Sequence, residues 1–128
     1  MVLIADDDDL LGALLCYQLG LRGVSARRTR DGREVGQLVA TLHPSAVVLD
    51  LMLPGIDGFD VLREIKENAQ TAATPVLILS PRTMERDVDT ALALGACAYV
   101  AKPFAPEDLL DQLLAFEHET AGEEKGHA

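Results

Sequence analysis

Two apolar runs in this chain end in carboxylates. Val2-Leu3-Ile4-Ala5 stops at Asp6-Asp7-Asp8-Asp9, and Ala46-Val47-Val48-Leu49 stops at Asp50. Short, almost uninterrupted apolar runs fit parallel strands covered on both faces, and strands that end together bring their terminal carboxylates to one edge of a sheet. Carboxylates gathered there repel, by about 4 kcal/mol per pair at 4 Å in an effective dielectric of about 20. Something positive must offset that. A hard divalent cation takes oxygen ligands, and Mg²⁺ typically uses one or two carboxylates, several waters and an oxygen of a phosphorylated group. Lys102, after the run Ala98–Ala101, adds a second positive charge. The set suits phosphoryl transfer, where catalysis is mostly positioning and charge neutralisation around a nucleophile, a metal and a cation. Asp50 would be the nucleophile, and Ser80, after Val76–Leu79, offers a hydroxyl to a phosphoryl oxygen.

The elements that must position these groups are legible as a pattern. Five runs read as strands: Val2–Ala5, Val24–Arg28, Ala46–Leu49, Val76–Leu79 and Ala98–Ala101, the second polar enough to suit an edge. Between and after them lie helical stripes, such as Leu11, Leu14, Leu15 and Leu19, or Leu109, Leu110, Leu113 and Leu114. Asp31 and Glu34 resemble a capping box, Gly23 and Gly95 fall where left-handed caps are needed, and Pro106 suits a first helical turn. Alternating strands and helices with short connections imply an α/β doubly wound parallel sheet, whose ligand sites lie beyond the carboxyl ends of its strands. Asp6, Asp7, Asp50, Ser80 and Lys102 all fall on that rim.

A chain of 128 residues with 48% hydrophobic content fits one domain, expected over residues 1–119, with 120–128 a flexible tail or the start of a linker. The net charge of −10 argues against nucleic-acid binding by this domain and against anionic membranes. No apolar run approaches the roughly 18 residues of a membrane helix, and no signal peptide precedes the first strand, so a cytoplasmic protein is expected. Cys16 and Cys97 have no metal-ligand spacing and read as buried structural thiols in a reducing compartment.

Asp6-Asp7, the segment Asp50-Leu51-Met52-Leu53-Pro54-Gly55-Ile56-Asp57-Gly58, Ser80, and Tyr99-Val100-Ala101-Lys102-Pro103-Phe104 together resemble the receiver domain of two-component response regulators, over roughly residues 1–118. The resemblance implies a CheY-like, flavodoxin-like sheet of five parallel strands in the order 2-1-3-4-5 with five helices. It implies that Asp50 accepts a phosphoryl group from a sensor histidine kinase or a histidine phosphotransfer protein. Mg²⁺ (or Mn²⁺) would be bound by Asp7 and Asp50 directly, by the Met52 backbone carbonyl, and by Asp6 mainly through water. Ser80 and Lys102 would hold phosphoryl oxygens, and a cis Lys102-Pro103 bond would help aim the lysine. Ser80 and Tyr99 would form a switch that biases the surface of helix four, strand five and helix five toward an output domain, a downstream protein or a phosphorylation-dependent dimer. Such a protein is not an enzyme beyond its own phosphorylation and slow self-dephosphorylation.

The chain departs from the family pattern in places. Pro81 stands where the family usually has alanine and removes an amide that could face the phosphoryl group. Met52 and Arg82, at positions that modulate dephosphorylation, offer no obvious means of placing a water, so a long-lived phosphoryl group is expected. Ala98 replaces an acidic residue, and Glu107, Asp108 and Asp111 lack arginine partners, which speaks against the charged dimer of winged-helix regulators. Other features have structural readings: Asp8 and Asp9 as first-turn residues, Asp57 as a loop former with Gly55 and Gly58, His43, His118 and His127 as surface histidines, and Arg27-Arg28-Thr29-Arg30 as a solvated edge. Two rival functions remain. Asp6-Asp7-Asp8 contains the Asp-x-Asp of haloacid dehalogenase-type phosphate hydrolases, although Leu10 stands where they usually carry Thr or Val; the other rival is a receiver-like interaction module that works without phosphorylation.

Overall fold

A computed structural model describes residues 1–81 and 84–126, with side chains to Glu117. The chain alternates β1 (Val2–Ala5), α1 (Asp9–Leu21), β2 (Ala26–Thr29), α2 (Val35–Leu42), β3 (Ala46–Asp50), α3 (Gly58–Glu67), β4 (Val76–Ser80), α4 (Glu85–Ala93), β5 (Ala98–Ala101) and α5 (Pro106–Gly126). All strand pairs are parallel, in the order β2-β1-β3-β4-β5. The doubly wound parallel sheet is the one that the apolar runs imply, and the strand order is the one that the resemblance implies.

Alternation along the strands sorts the core into two layers. Leu3, Val47, Leu49, Val76 and Ile78 face α2, α3 and α4, meeting Val39, Leu62, Ile65 and Ala91. Val2, Ile4, Val48, Leu77 and Leu79 face α1 and α5, meeting Leu15, Leu19, Leu109 and Leu113. The three central strands are buried throughout, which explains why their sequences are runs rather than alternations. β5 is only partly buried, as suits an edge.

The capping residues set where the helices begin. Asp8 accepts from the amides of Leu10 and Leu11 and starts α1, Asp57 accepts from Phe59 and starts α3, and Pro106 is the first residue of α5. Gly23 and Gly95 have positive φ, as their places just after helices require.

Several expectations need correction. The second strand begins at Ala26, because the Val24 amide closes the exit of α1 on the Leu19 carbonyl at 3.0 Å, and it extends to Thr29, which pairs with Ala5. The Asp31 box is half formed. Asp31 caps a 3₁₀ turn by accepting from the Arg33 amide, but the Asp31 amide donates to Thr29 Oγ1, and Glu34 accepts from that same hydroxyl. Cys97 is exposed as a residue and Cys16 half-buried, so neither is the fully buried thiol expected; both are free. The helical trace of α5 continues past Glu119 to Gly126, but the side chains there, including His118, and also Arg82 and His127, lie outside the described residues.

One helix end stands apart. His43 closes α2 at φ 47°, ψ 58°, a left-handed conformation that costs a residue bearing a Cβ, and its amide donates to Val39 at 3.0 Å. His43→Gly keeps the backbone bond and removes the Cβ penalty, so it is expected to raise the unfolding free energy by about 0.5–1 kcal/mol. Urea denaturation checks this; a loss of stability would show that the imidazole contributes more than the backbone costs.

Candidate functional site

The carboxyl ends of β1, β3, β4 and β5 converge because their registers are aligned. Ala5 pairs with Leu49, so the next residues, Asp6 and Asp50, emerge side by side. Across the other half, Asp50 pairs with Leu79, Ser80 with Ala101, and the Lys102 amide donates to the Ser80 carbonyl at 2.8 Å. Asp6, Asp7 and Asp50 each present a carboxylate oxygen within 4.8 Å of the others. Lys102 Nζ lies 3.0 Å from Asp50 Oδ2 and 3.4 Å from Asp6 Oδ2.

Both buried carboxylates are oriented by backbone amides. Asp6 Oδ1 accepts from the Asp8 amide at 2.7 Å and Asp50 Oδ1 from the Met52 amide at 2.8 Å, leaving each Oδ2 to Lys102. Asp7 is exposed, so the cluster opens to solvent on its side. Burial pushes the Asp6 carboxyl above its ordinary value; the Asp8 amide and Lys102 oppose this, while the charge of Asp50 adds to it. For Lys102, burial works against the ammonium, but the hydrogen bond and charge of Asp50, with Asp6 behind them, outweigh it and raise its pKa. Lys102 is therefore a permanent cation at neutral pH, set among three acids.

The surrounding loops are held closely. A Cβ on Gly58 would come within 2.5 Å of Leu51 Cα, so only glycine lets α3 start against the residue after Asp50. The Asp57 cap beside it bears out the loop-forming reading. Arg28 was expected to be solvated; instead its Nε and Nη2 donate to the Asp6 carbonyl at 3.1 and 3.0 Å, and Nη1 donates to Asp9 at 2.6 Å. It clamps the acidic loop onto β2. The readable signal is Gly12, a glycine inside a leucine-rich helix, where a Cβ would collide with the Arg28 guanidinium.

Ser80 is fully buried. By strand parity it shares the α2–α3–α4 face of the sheet with Tyr99, which is partly buried against that core layer. The Lys102–Pro103 bond is cis, and Met52 and Pro81 are exposed. The structure thus brings Asp6, Asp7, Asp50 and Lys102 into one cluster and places Ser80 and Tyr99 on neighbouring strands beside it.

The family described as the response regulator receiver domain matches residues 2–114. The chain belongs to that family. This receiver domain is 36% identical over 119 residues to the response regulator MprA of Mycolicibacterium vanbaalenii, covering 93% of this chain and 51% of that protein. It thus spans about half the length of the curated relatives it matches. The receiver domain of the Francisella response regulator 1452 superposes with a TM-score of 0.84 at 28% identity, covering 93% of this chain and 97% of that one. The Mn²⁺-bound form of response regulator Rcp1 superposes at 0.75 with 26% identity, covering 91% and 90%. A match along nearly the whole receiver domain removes the hydrolase reading of Asp6-Asp7-Asp8.

The charge balance at this receiver site gives opposite signs for two substitutions. In chelator at neutral pH, Asp6→Asn removes a buried negative charge and is expected to raise the unfolding free energy by about 1–2 kcal/mol, whereas Lys102→Met leaves the acids uncompensated and costs about 1–3 kcal/mol. Because the folded state raises the Asp6 pKa, the ionised carboxylate opposes folding in full above that raised value, and the advantage of Asp6→Asn shrinks as pH falls through it and is gone below the ordinary 3.8. Denaturant melts at two pH values check both signs; destabilisation by Asp6→Asn at neutral pH contradicts the charge account.

Proposed function

We propose that this receiver domain takes a phosphoryl group onto Asp50 from a phosphohistidine of a sensor kinase or phosphotransfer protein. The observation that carries the reading is the placement of Lys102 Nζ 3.0 Å from Asp50 Oδ2 at a rim where Asp6 and Asp7 add two further carboxylates. A carboxylate oxygen of Asp50 attacks phosphorus, the new P–O bond forms as the P–N bond breaks, and the imidazole departs with the electron pair. Lys102 then faces the phosphoryl oxygens with its charge, and the Ser80 hydroxyl donates to one of them.

The donor set is all oxygen and carries more negative charge than one ammonium offsets, which fits a hard divalent cation. Asp7 and Asp50 would hold Mg²⁺ or Mn²⁺ directly, with the Met52 carbonyl as a third protein ligand and Asp6 acting through water. The ion supplies neutralisation of the incoming phosphoryl charge. The Mn²⁺-bound form of the similar regulator Rcp1 supports this.

The switch follows from the shared face of Ser80 and Tyr99. Drawing the Ser80 hydroxyl toward a phosphoryl group changes the space beside Tyr99 and shifts the population of the α4–β5–α5 surface. That surface would engage an output domain or a downstream protein, with residues 120–128 as a tail or the start of a linker. The domain acts in the cytoplasm, and its chemistry is confined to its own phosphorylation and slow dephosphorylation. Among the described residues no helix is long and apolar enough to cross a membrane.

Incubation with acetyl phosphate tests the reading. Wild-type protein is expected to gain one acid-stable, base-labile phosphoryl group in Mg²⁺, with labelling abolished by chelator or by Asp50→Asn and slowed about 100-fold or more by Lys102→Ala. Equal labelling of Asp50→Asn would place the chemistry elsewhere. A wild-type protein that never labels would favour an interaction module that works without phosphorylation.

A further inference from the structure

Where β2 reaches the rim, a side chain takes over from the sheet. The Val2 amide donates to the Ser25 carbonyl and the Asp6 amide to the Thr29 carbonyl, and one more step of that parallel ladder would bring the Asp31 amide to the Asp6 carbonyl. The Asp31 amide turns instead to Thr29 Oγ1 at 3.2 Å. Arg28 takes its place: Nε and Nη2 donate to the Asp6 carbonyl at 3.1 and 3.0 Å, while Nη1 is anchored on Asp9 at 2.6 Å. Gly12 makes room for the guanidinium, since a Cβ there would lie 2.3 Å from Nε and 2.5 Å from Cδ of Arg28.

The consequence falls on Asp7. Asp6 and Asp50 each rest one carboxylate oxygen on a backbone amide and the other on Lys102, but the Asp7 side chain is exposed and has no hydrogen bond or ion pair among the described residues. Its direction is therefore set by the peptide groups on either side of it. A peptide group is planar, so the Arg28 fork on the Asp6 carbonyl also fixes the Asp7 amide and Cα, and the Asp8 amide beyond is held by Asp6 Oδ1 at 2.7 Å.

We propose that Arg28, in the space left by Gly12, is a positioning residue for the divalent cation, aiming Asp7 into the carboxylate cluster it forms with Asp6 and Asp50. The assignment rests on the reading of Asp7 and Asp50 as metal ligands. By charge alone a guanidinium beside this site would repel a cation, so its contribution is geometric. Loss of an outer partner that orients a ligand typically costs about 10–100-fold in metal affinity.

Mn²⁺ binding, followed by the free ion's electron paramagnetic resonance signal at constant ionic strength, tests the assignment. Arg28→Lys keeps the charge but replaces the fork by a single point donor, and is expected to weaken Mn²⁺ binding about ten-fold. Gly12→Ala, whose new methyl meets the Arg28 side chain first, is expected to weaken it by a similar factor by displacing the guanidinium. In an Arg28→Ala background that collision is gone, and Gly12→Ala is expected to change Mn²⁺ binding no further. Thermal melts in chelator report the folding of each variant; a merely structural role would lower the midpoint and leave the Mn²⁺ affinity of the folded protein unmoved. Arg28→Lys within about two-fold of a wild-type protein that binds Mn²⁺ overturns the assignment alone. So does a Gly12→Ala effect that persists at full size in Arg28→Ala. A wild-type protein that binds no Mn²⁺ overturns the metal reading itself, and the assignment with it.

Discussion

Everything at the rim depends on how three carboxylates tolerate one another. Two of them are buried at the ends of adjacent strands, where leaving water is costly, and one lysine just past β5 reaches both. Backbone amides of Asp8 and Met52 take one oxygen of each buried acid, so the remaining oxygens are aimed at a shared point rather than free to turn away. The arrangement is fully hydrogen-bonded yet under-compensated in charge. A site in that condition suits a hard cation and, in the function we propose, an anionic phosphoryl group beside it.

The fold is the means of holding that condition. Central strands buried on both faces fix register, since any slip of one residue would exchange the two core layers. Aligned register places Asp50 beside Asp6 and Ser80 beside the residue before Lys102, and the close packing of Gly58 on Leu51 and of Arg28 on the Asp6 carbonyl fixes the loops. Strand parity turns Ser80 and Tyr99 toward the α2–α3–α4 layer and away from the core layer under α1 and α5.

Much of this was legible in the chain because its strongest signals are local. Apolar runs that stop at aspartate, glycines after helical stripes and caps such as Asp57 each carry their meaning in a few residues. What the sequence concealed was set by distant contacts. Arg28 looks like one cation among three on an edge strand, and only the fold shows it folded back on the acidic loop. Val24 has strand character but is consumed in closing α1, His43 adopts a left-handed turn that its residue type does not announce, and Cys97 is apolar in context yet exposed. The helical periodicity of α1 is visible, and it puts Leu14 in one stripe with Leu11, Leu15 and Leu19. Its partial exposure follows from a helix that is apolar nearly all round.

The most direct test of the central claim is the thermal midpoint as a function of Mg²⁺ at constant ionic strength. An under-compensated acidic site that binds the ion only when folded must gain stability with ligand, as RT ln(1 + [L]/Kd). The midpoint is expected to rise steadily with Mg²⁺ above its dissociation constant and to rise far less in Asp7→Asn. A midpoint that stays flat, or that moves no more with Mg²⁺ than with K⁺, would contradict the account.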